Sequence, residues 1–294
     1  MSTTVDILGS AFRLRFERRQ LAPIDASPTP LAGWNRVCRD DGGGVGLARG
    51  WFVVIGGNPK FGKSILALNL AAAAMSRDQP VGFVSLEMSP EQLAARFYAM
   101  KTKTPVRMLE KGGFTKDHFD EVWNRIRPTS NGYRFEVTDT PLWDLGTVMA
   151  EMEAMWYSGI SWFVVDYLQL VGLGDEEEIN RQVSSVTTHL AQFAKAKPAT
   201  VIALSQFNRQ TSKDYTQPPR AQGLHGGMIV EATADQVILL DHSRYEKSDG
   251  RAKSWLIVDL NRHGESGCIP IEWDYTTLSV REALPDEERS WPTA

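Results

Sequence analysis

Residues 57–64 read Gly57-Asn58-Pro59-Lys60-Phe61-Gly62-Lys63-Ser64, with the spacing G-x-x-x-x-G-K-[ST]. The glycines permit a loop whose backbone N–H groups wrap a phosphate, Lys63 can reach β and γ oxygens, and the Ser64 hydroxyl can ligate Mg²⁺. The flanks suit that chemistry. Residues 51–55, Trp-Phe-Val-Val-Ile, form an apolar run of the buried-strand type, and 65–75 is rich in Ala and Leu with high helix propensity. The loop therefore opens onto a helix N-terminus, which favours anions. An ordinary glycine turn is the plain alternative, but such a turn seldom sits between a strand and a helix. The pattern implies a nucleoside triphosphate site.

Three further polar residues end apolar runs. Ser161-Trp162-Phe163-Val164-Val165-Asp166 is a strand pattern that delivers a carboxylate at its C-terminal end, where it can join a Mg²⁺ shell beside a phosphate loop. A lone Asp there serves equally as a helix cap; the phosphate loop in the same sheet favours the metal role. Glu87 closes the run 81–86 and can orient or deprotonate an attacking water, or simply pair with a charge at a strand end. Gln206 follows the run 200–204 and is an amide suited to sensing a γ-phosphate.

To bring these groups together, strands must lie side by side with helices between them. Beyond the runs already named, the strand candidates are 133–137, 236–240, 255–260 and 269–273, with helices over 145–157 and 179–196. Ser89-Pro90-Glu91 is a helix start with proline at the first helical position, followed by mostly helical sequence to about residue 127. Strands alternating with helices predict an α/β fold with a mainly parallel sheet, and the late strand cluster predicts an antiparallel extension. Residues 1 to about 30 read as an appended arm, 31–280 as one domain and 281–294 as a tail.

Composition narrows the partners. A net charge of −4 over 294 residues requires any nucleic-acid contact to come from a local patch. Cys38 and Cys268 have no metal-ligand spacing and fit a reducing compartment, and the five histidines are scattered, so no zinc is expected. No apolar run approaches the roughly 20 residues of a membrane span, and the expected location is the cytoplasm. The acidic run 175–178 reads as a solvated loop. The arm at 4–21 has Ile7, Leu8, Ala11 and Phe12 at helical spacing, but Phe12, Leu14 and Phe16 alternate as in a strand.

The order of these stretches resembles the C-terminal motor domain of the DnaB-type replicative helicases, a RecA-like ATPase family. The resemblance runs from about residue 31 to about 275. Beside the phosphate loop it is carried by VSLEMSPEQLAARF at 84–97, VTDTP at 137–141, VVDYLQLV at 164–171, NRQVSSV at 180–186 and VIALSQFNRQ at 201–210. It continues through PPRAQGLHGGMIVEATADQVILL at 218–240 and LNRHGESG at 260–267. It implies ATP and Mg²⁺ as ligands and a hexameric ring with nucleotide between neighbours and single-stranded DNA in the channel. Glu87 is then the catalytic base, Asp166 and Ser64 the metal side, Gln206 the γ-phosphate reader, and Arg262 the residue that reaches the neighbour's nucleotide. DNA contacts fall to Arg209, His225, Gly226 and Met228.

The departures are specific. Leu260 stands where the family carries a lysine, and Gly223-Leu224-His225 replaces an Asp-Leu-Arg stretch, exchanging a permanent charge for a side chain mostly neutral near pH 7. No counterpart of the N-terminal collar that recruits primase is expected in the arm, which instead could match the linker helix that docks on an adjacent subunit. The expected activity is an ATP-dependent helicase or translocase serving a phage, prophage or plasmid, with a primase or loader as a further partner. The competing readings are a DnaB-derived ATPase that binds DNA without unwinding it, and an assembly ATPase of the KaiC sort that binds no DNA.

Overall fold

The computed structural model describes residues 26–38, 46–111, 115–117, 120, 134–138, 144–170, 176–208, 211, 218–248 and 250–283. The first elements are β1 (Ala26–Ser27), α1 (Ala32–Val37) and β2 (Leu47–Ala48), with β1 and β2 paired antiparallel. The next are β3 (Phe52–Gly56), α2 (Lys63–Met75), β4 (Val81–Ser85), α3 (Pro90–Thr102), α4 (Val106–Lys111), β5 (Phe135–Val137) and α5 (Leu145–Tyr157). The chain continues through β6 (Trp162–Asp166), α6 (Glu176–Ala196), β7 (Thr200–Ser205), α7 (Gly227–Thr233) and β8 (Gln236–Ser248) to β9 (Arg251–Asn261), β10 (Gly267–Asp274) and β11 (Ser279–Glu282).

Strands β3 to β11 form one sheet in the order β11-β10-β9-β8-β3-β7-β6-β4-β5. From β8 to β5 every neighbouring pair is parallel, and from β8 to β11 every pair is antiparallel, as the strand pattern predicts. The central strands are buried along their whole length because both faces are covered, so successive residues feed opposite cores. Val53 and Ile55 pack with Trp34, Leu66, Phe97 and Trp273 on one face. Phe52 and Val54 pack with Met152, Phe163, Val183, Leu190 and Val230 on the other. Each such aliphatic or aromatic side chain contributes about 1.5–3 kcal/mol on full burial.

Local signals set the element ends. Ser89 caps α3 with a reciprocal bond to Gln92 and with Pro90 in the first turn, and Asp144 caps α5 by accepting from the Thr147 N–H. Helix α2 is buried on nearly every side, between the sheet and the antiparallel extension. Asn69 bridges the two: its amide donates to the Leu278 carbonyl at 2.9 Å and accepts from the Val280 N–H at 3.4 Å. Strand β8 runs past the expected 236–240 to Ser248, because pairing with β9 carries its polar second half. Strand β11 went unpredicted, being four residues long with an exposed arginine in its middle.

Candidate functional site: a phosphate-binding cleft at the strand ends

Strands β3, β7, β6 and β4 are successive parallel neighbours, so their carboxyl ends share one edge, where open α/β sheets bind ligands. The phosphate loop leaves β3, Gln206 leaves β7, Asp166 ends β6 and Glu87 follows β4. Main-chain bonds hold the four ends together. The Gly57 N–H donates to the Ser205 carbonyl at 3.2 Å, and the Leu86 N–H to the Asp166 carbonyl at 2.9 Å. Glu87 lies in a turn pinned by Ser85, whose hydroxyl donates to the Met88 carbonyl and accepts from the Met88 N–H.

In the loop, Lys60 and Gly62 both have positive φ, and Gly62 at +86° starts α2. A Cβ on Gly62 would lie 2.9 Å from two ring carbons of Trp273, so close packing as well as backbone angle calls for glycine there. The Lys63 ammonium donates to the Gly57 carbonyl at 2.9 Å and the Asn58 carbonyl at 3.0 Å, leaving the third of its three N–H groups for an anion. Burial pulls its pKa down to about 8, against the opposing pull of the Asp166 and Glu87 carboxylates.

Asp166 is 1% exposed. The Ser64 side chain lies beside its carboxylate, while Oδ2 accepts no hydrogen bond among the described residues. Burial raises its pKa to about 6; Glu87 raises it further, and the Ser64 hydroxyl, Lys63 and Arg96 work against the shift. A buried carboxylate oxygen left without a donor, beside a serine hydroxyl, is a hard-oxygen donor set that fits a divalent cation such as Mg²⁺.

The cleft has a volume of about 450 Å³, and its walls include Pro59, Lys60, Gly62, Lys63, Ser64, Glu87, Asp166 and Gln206. Gly57 and Asn58 lie beneath, supplying the carbonyls that hold Lys63, and the Phe61 N–H closes the loop on the Asn58 carbonyl at 3.3 Å. Of the wall residues that escaped the sequence reading, Tyr167, Arg96 and Tyr275 bear most on the chemistry. Tyr167 sits beside Gln206 and near Glu87, and its phenol pKa is raised by burial and then by Glu87. Arg96 projects from α3, seven residues or two turns past the Ser89 cap, a spacing that could have marked it. Tyr275, in the β10–β11 turn and stacked with Trp273 at 6.1 Å, adds an aromatic surface that no nearby motif signals.

The remaining predicted residues lie elsewhere. The Gln206 carbonyl accepts the His225 N–H at 3.2 Å and the Gly223 carbonyl accepts the Asn208 N–H at 2.8 Å, so the strand end below the cleft is paired to the His225 loop. Asn180 of α6 accepts from the Gly226 N–H and contacts the His225 ring, each at 3.2 Å. Met228 is 83% exposed. Arg262, in the β9–β10 turn, is exposed and does not line the cleft of its own chain. Arg209 and the arm at 1–25 lie outside the described residues.

A family profile described as DnaB-like helicase C terminal domain matches residues 41–281. Among curated relatives, a probable plasmid replicative DNA helicase of Chlamydia psittaci is 30% identical over 252 residues, covering 84% of this chain and 53% of that protein. The replicative DNA helicase DnaB of Leifsonia xyli subsp. xyli is 33% identical over 234 residues, covering 77% and 50%. The chain thus spans about half the length of these relatives. In solved structures, a DnaB-like replicative helicase, described together with its interactions with primase, matches the fold with a TM-score of 0.76 at 20% identity, covering 94% of this chain and 68% of that one. The expected RecA-like architecture is therefore the one found, and the chain belongs to the DnaB-like helicase C-terminal domain family.

Proposed function

We propose that this chain is the motor of a ring-forming, ATP-dependent helicase that moves on single-stranded DNA and unwinds duplex during replication of a plasmid, prophage or phage. The observation that carries the reading is the cleft. Phosphate loop, buried carboxylate, exposed glutamate and glutamine amide converge in it, while the family's trans arginine lies outside it.

In this reading the loop N–H groups and the free N–H of Lys63 hold the β- and γ-phosphates of ATP, and Tyr275 offers its ring to the base. Ser64 and Asp166 hold Mg²⁺, which when bound neutralises phosphate charge. Glu87 orients the attacking water and accepts its proton, with Tyr167 and Gln206 on the same wall of the cleft. Gln206 reads the γ-phosphate and passes its position through its own carbonyl to the His225 loop. Transition-state charge on the transferred phosphoryl is met by Arg262 of a neighbouring subunit, an effect of about 10³–10⁵ in rate for such arginines. Hence the ring. The segment at His225, Gly226 and Met228, with Arg209, contacts DNA without reading its sequence, as translocation requires, while the His225 and Gly226 N–H groups, bonded within the chain to Gln206 and Asn180, hold the segment in shape.

Arg262→Ala tests the shared site. The variant is expected to bind ATP as the parent does and to lose at least about a hundredfold in turnover, well within the range of such arginines. Unchanged turnover would refute a site completed by a neighbour.

A further inference from the structure

Arg262 is held unusually firmly for an exposed arginine. Its Nε donates to the Ala234 carbonyl at 2.8 Å, and its Nη2 donates to the Glu231 and Ala232 carbonyls at 2.9 and 3.0 Å. Its own N–H bonds the Asp235 carbonyl at 2.9 Å. The guanidinium thus caps the C-terminal end of α7, where carbonyls lack helical partners and a cation is favoured. Of its five N–H groups three are engaged, and the two on Nη1 have no acceptor among the described residues. The turn is fixed separately by Asn261. Its amide donates to the Val37 and Glu265 carbonyls and accepts from Gln236 and from the His263 N–H, using all four bonding positions.

The other end of α7 is tied as well. Gly226 and His225 are fastened to Asn180, and the His225 N–H bonds the carbonyl of Gln206, a wall of this chain's own cleft. Helix α7 is seven residues long, or two turns, with Val230 buried against the sheet and Met228 exposed at its start. It therefore stands between two reporters: at its start the segment that leaves Gln206, and at its end the guanidinium of Arg262.

We propose that α7 is a rigid coupling rod joining the DNA loop at residues 225–228 to Arg262, so that the neighbour's nucleotide and the DNA held by this subunit are sensed through one helix. This rests on the trans role of Arg262 and the DNA role of the loop proposed above. A shift of the arginine toward the neighbour's phosphate moves the carbonyls that hold it, and α7 carries that shift to the loop. By linkage, nucleotide must change DNA affinity by the same factor that DNA changes nucleotide affinity.

The test loosens the rod at its arginine end without changing a side chain of the loop, the arginine or the core. Glu231→Gly with Ala232→Gly keeps both carbonyls but weakens the helix at partly or fully exposed positions. Ala232→Gly alone is the milder variant should the pair fold poorly, with folding checked by melting temperature. All are made with Glu87→Gln to stop turnover. The readout is the ratio of dissociation constants for a fluorescent oligo-dT without and with saturating ATP and Mg²⁺, a quantity that a merely structural helix cap would not move. The expected result is a ratio compressed by about fivefold or more, the low end of usual coupling factors, with ATP affinity within about twofold of the parent. A parental ratio in folded glycine variants would overturn the rod. A parent that binds oligo-dT with a ratio of one would also overturn it, leaving the motor reading standing; a parent that does not bind oligo-dT would overturn that reading too.

Discussion

Gly62→Ala probes how the antiparallel extension shapes the phosphate loop. The new methyl faces two penalties. At φ +86° an L-residue sits in the left-handed region, at a cost of about 1–2 kcal/mol. Its Cβ also falls 2.9 Å from two carbons of the Trp273 ring, which is fully buried and tied through its indole N–H to Ser254 at 2.6 Å, so the loop must move. Overpacking of this kind costs about 1–3 kcal/mol. The sum, about 2–5 kcal/mol, is relieved if the loop abandons its nucleotide-binding form, and at about 1.4 kcal/mol per tenfold this weakens ATP binding at least about 30-fold. Trp273→Phe removes the outer ring. In the double variant the steric part is relieved while the φ penalty stays, so binding recovers about fivefold or more over Gly62→Ala alone. Titration of a fluorescent ATP analogue into the four proteins gives the cycle. A Gly62→Ala dissociation constant within about threefold of the parent, or a double variant no tighter than the single, would refute the reasoning.

Three further outcomes follow from the site and the core. Glu87→Gln should bind ATP and DNA like the parent with hydrolysis abolished, and substantial residual turnover would move the base elsewhere. Cys38 is buried and its pKa is raised from 9.0 to about 11 by that burial, against the Gln236 amide, which donates to its sulfur at 3.1 Å, and the nearby Trp34 indole. At pH 8 its thiolate fraction is about one in a thousand, so N-ethylmaleimide should label it in urea but not in the native protein; native labelling at a free thiol's rate would contradict the burial. The same shift makes the unfolded chain lose this proton first, so Cys38 contributes a loss of stability as pH rises from about 9 to 11.

Legibility tracked how local each signal was. Runs such as Val81–Ser85 and Trp162–Asp166 are apolar because both sheet faces are covered, and that alone marks them as strands. Helix α5 begins and ends at the expected residues because Asp144 caps it and Gly159 follows closely with positive φ. Glu87, Asp166 and Gln206 stood out as polar residues ending such runs, and parallel neighbours then bring strand ends together without further instruction. What stayed hidden depends on distant pairing. The second half of β8 and the whole of β11 are held by partners, not by composition. Tyr275 reaches the cleft only because β10 and β11 fold over α2, and nothing near Arg262 in sequence announces that carbonyls some 30 residues upstream will hold it.

The central claim is a DNA-driven ATPase that separates strands. Its most direct test measures ATP turnover with and without single-stranded DNA, alongside strand displacement from a forked duplex by the same preparation. Turnover stimulated by DNA together with displacement that requires ATP is the expected result. Turnover indifferent to DNA, with the fork left intact, would contradict the account.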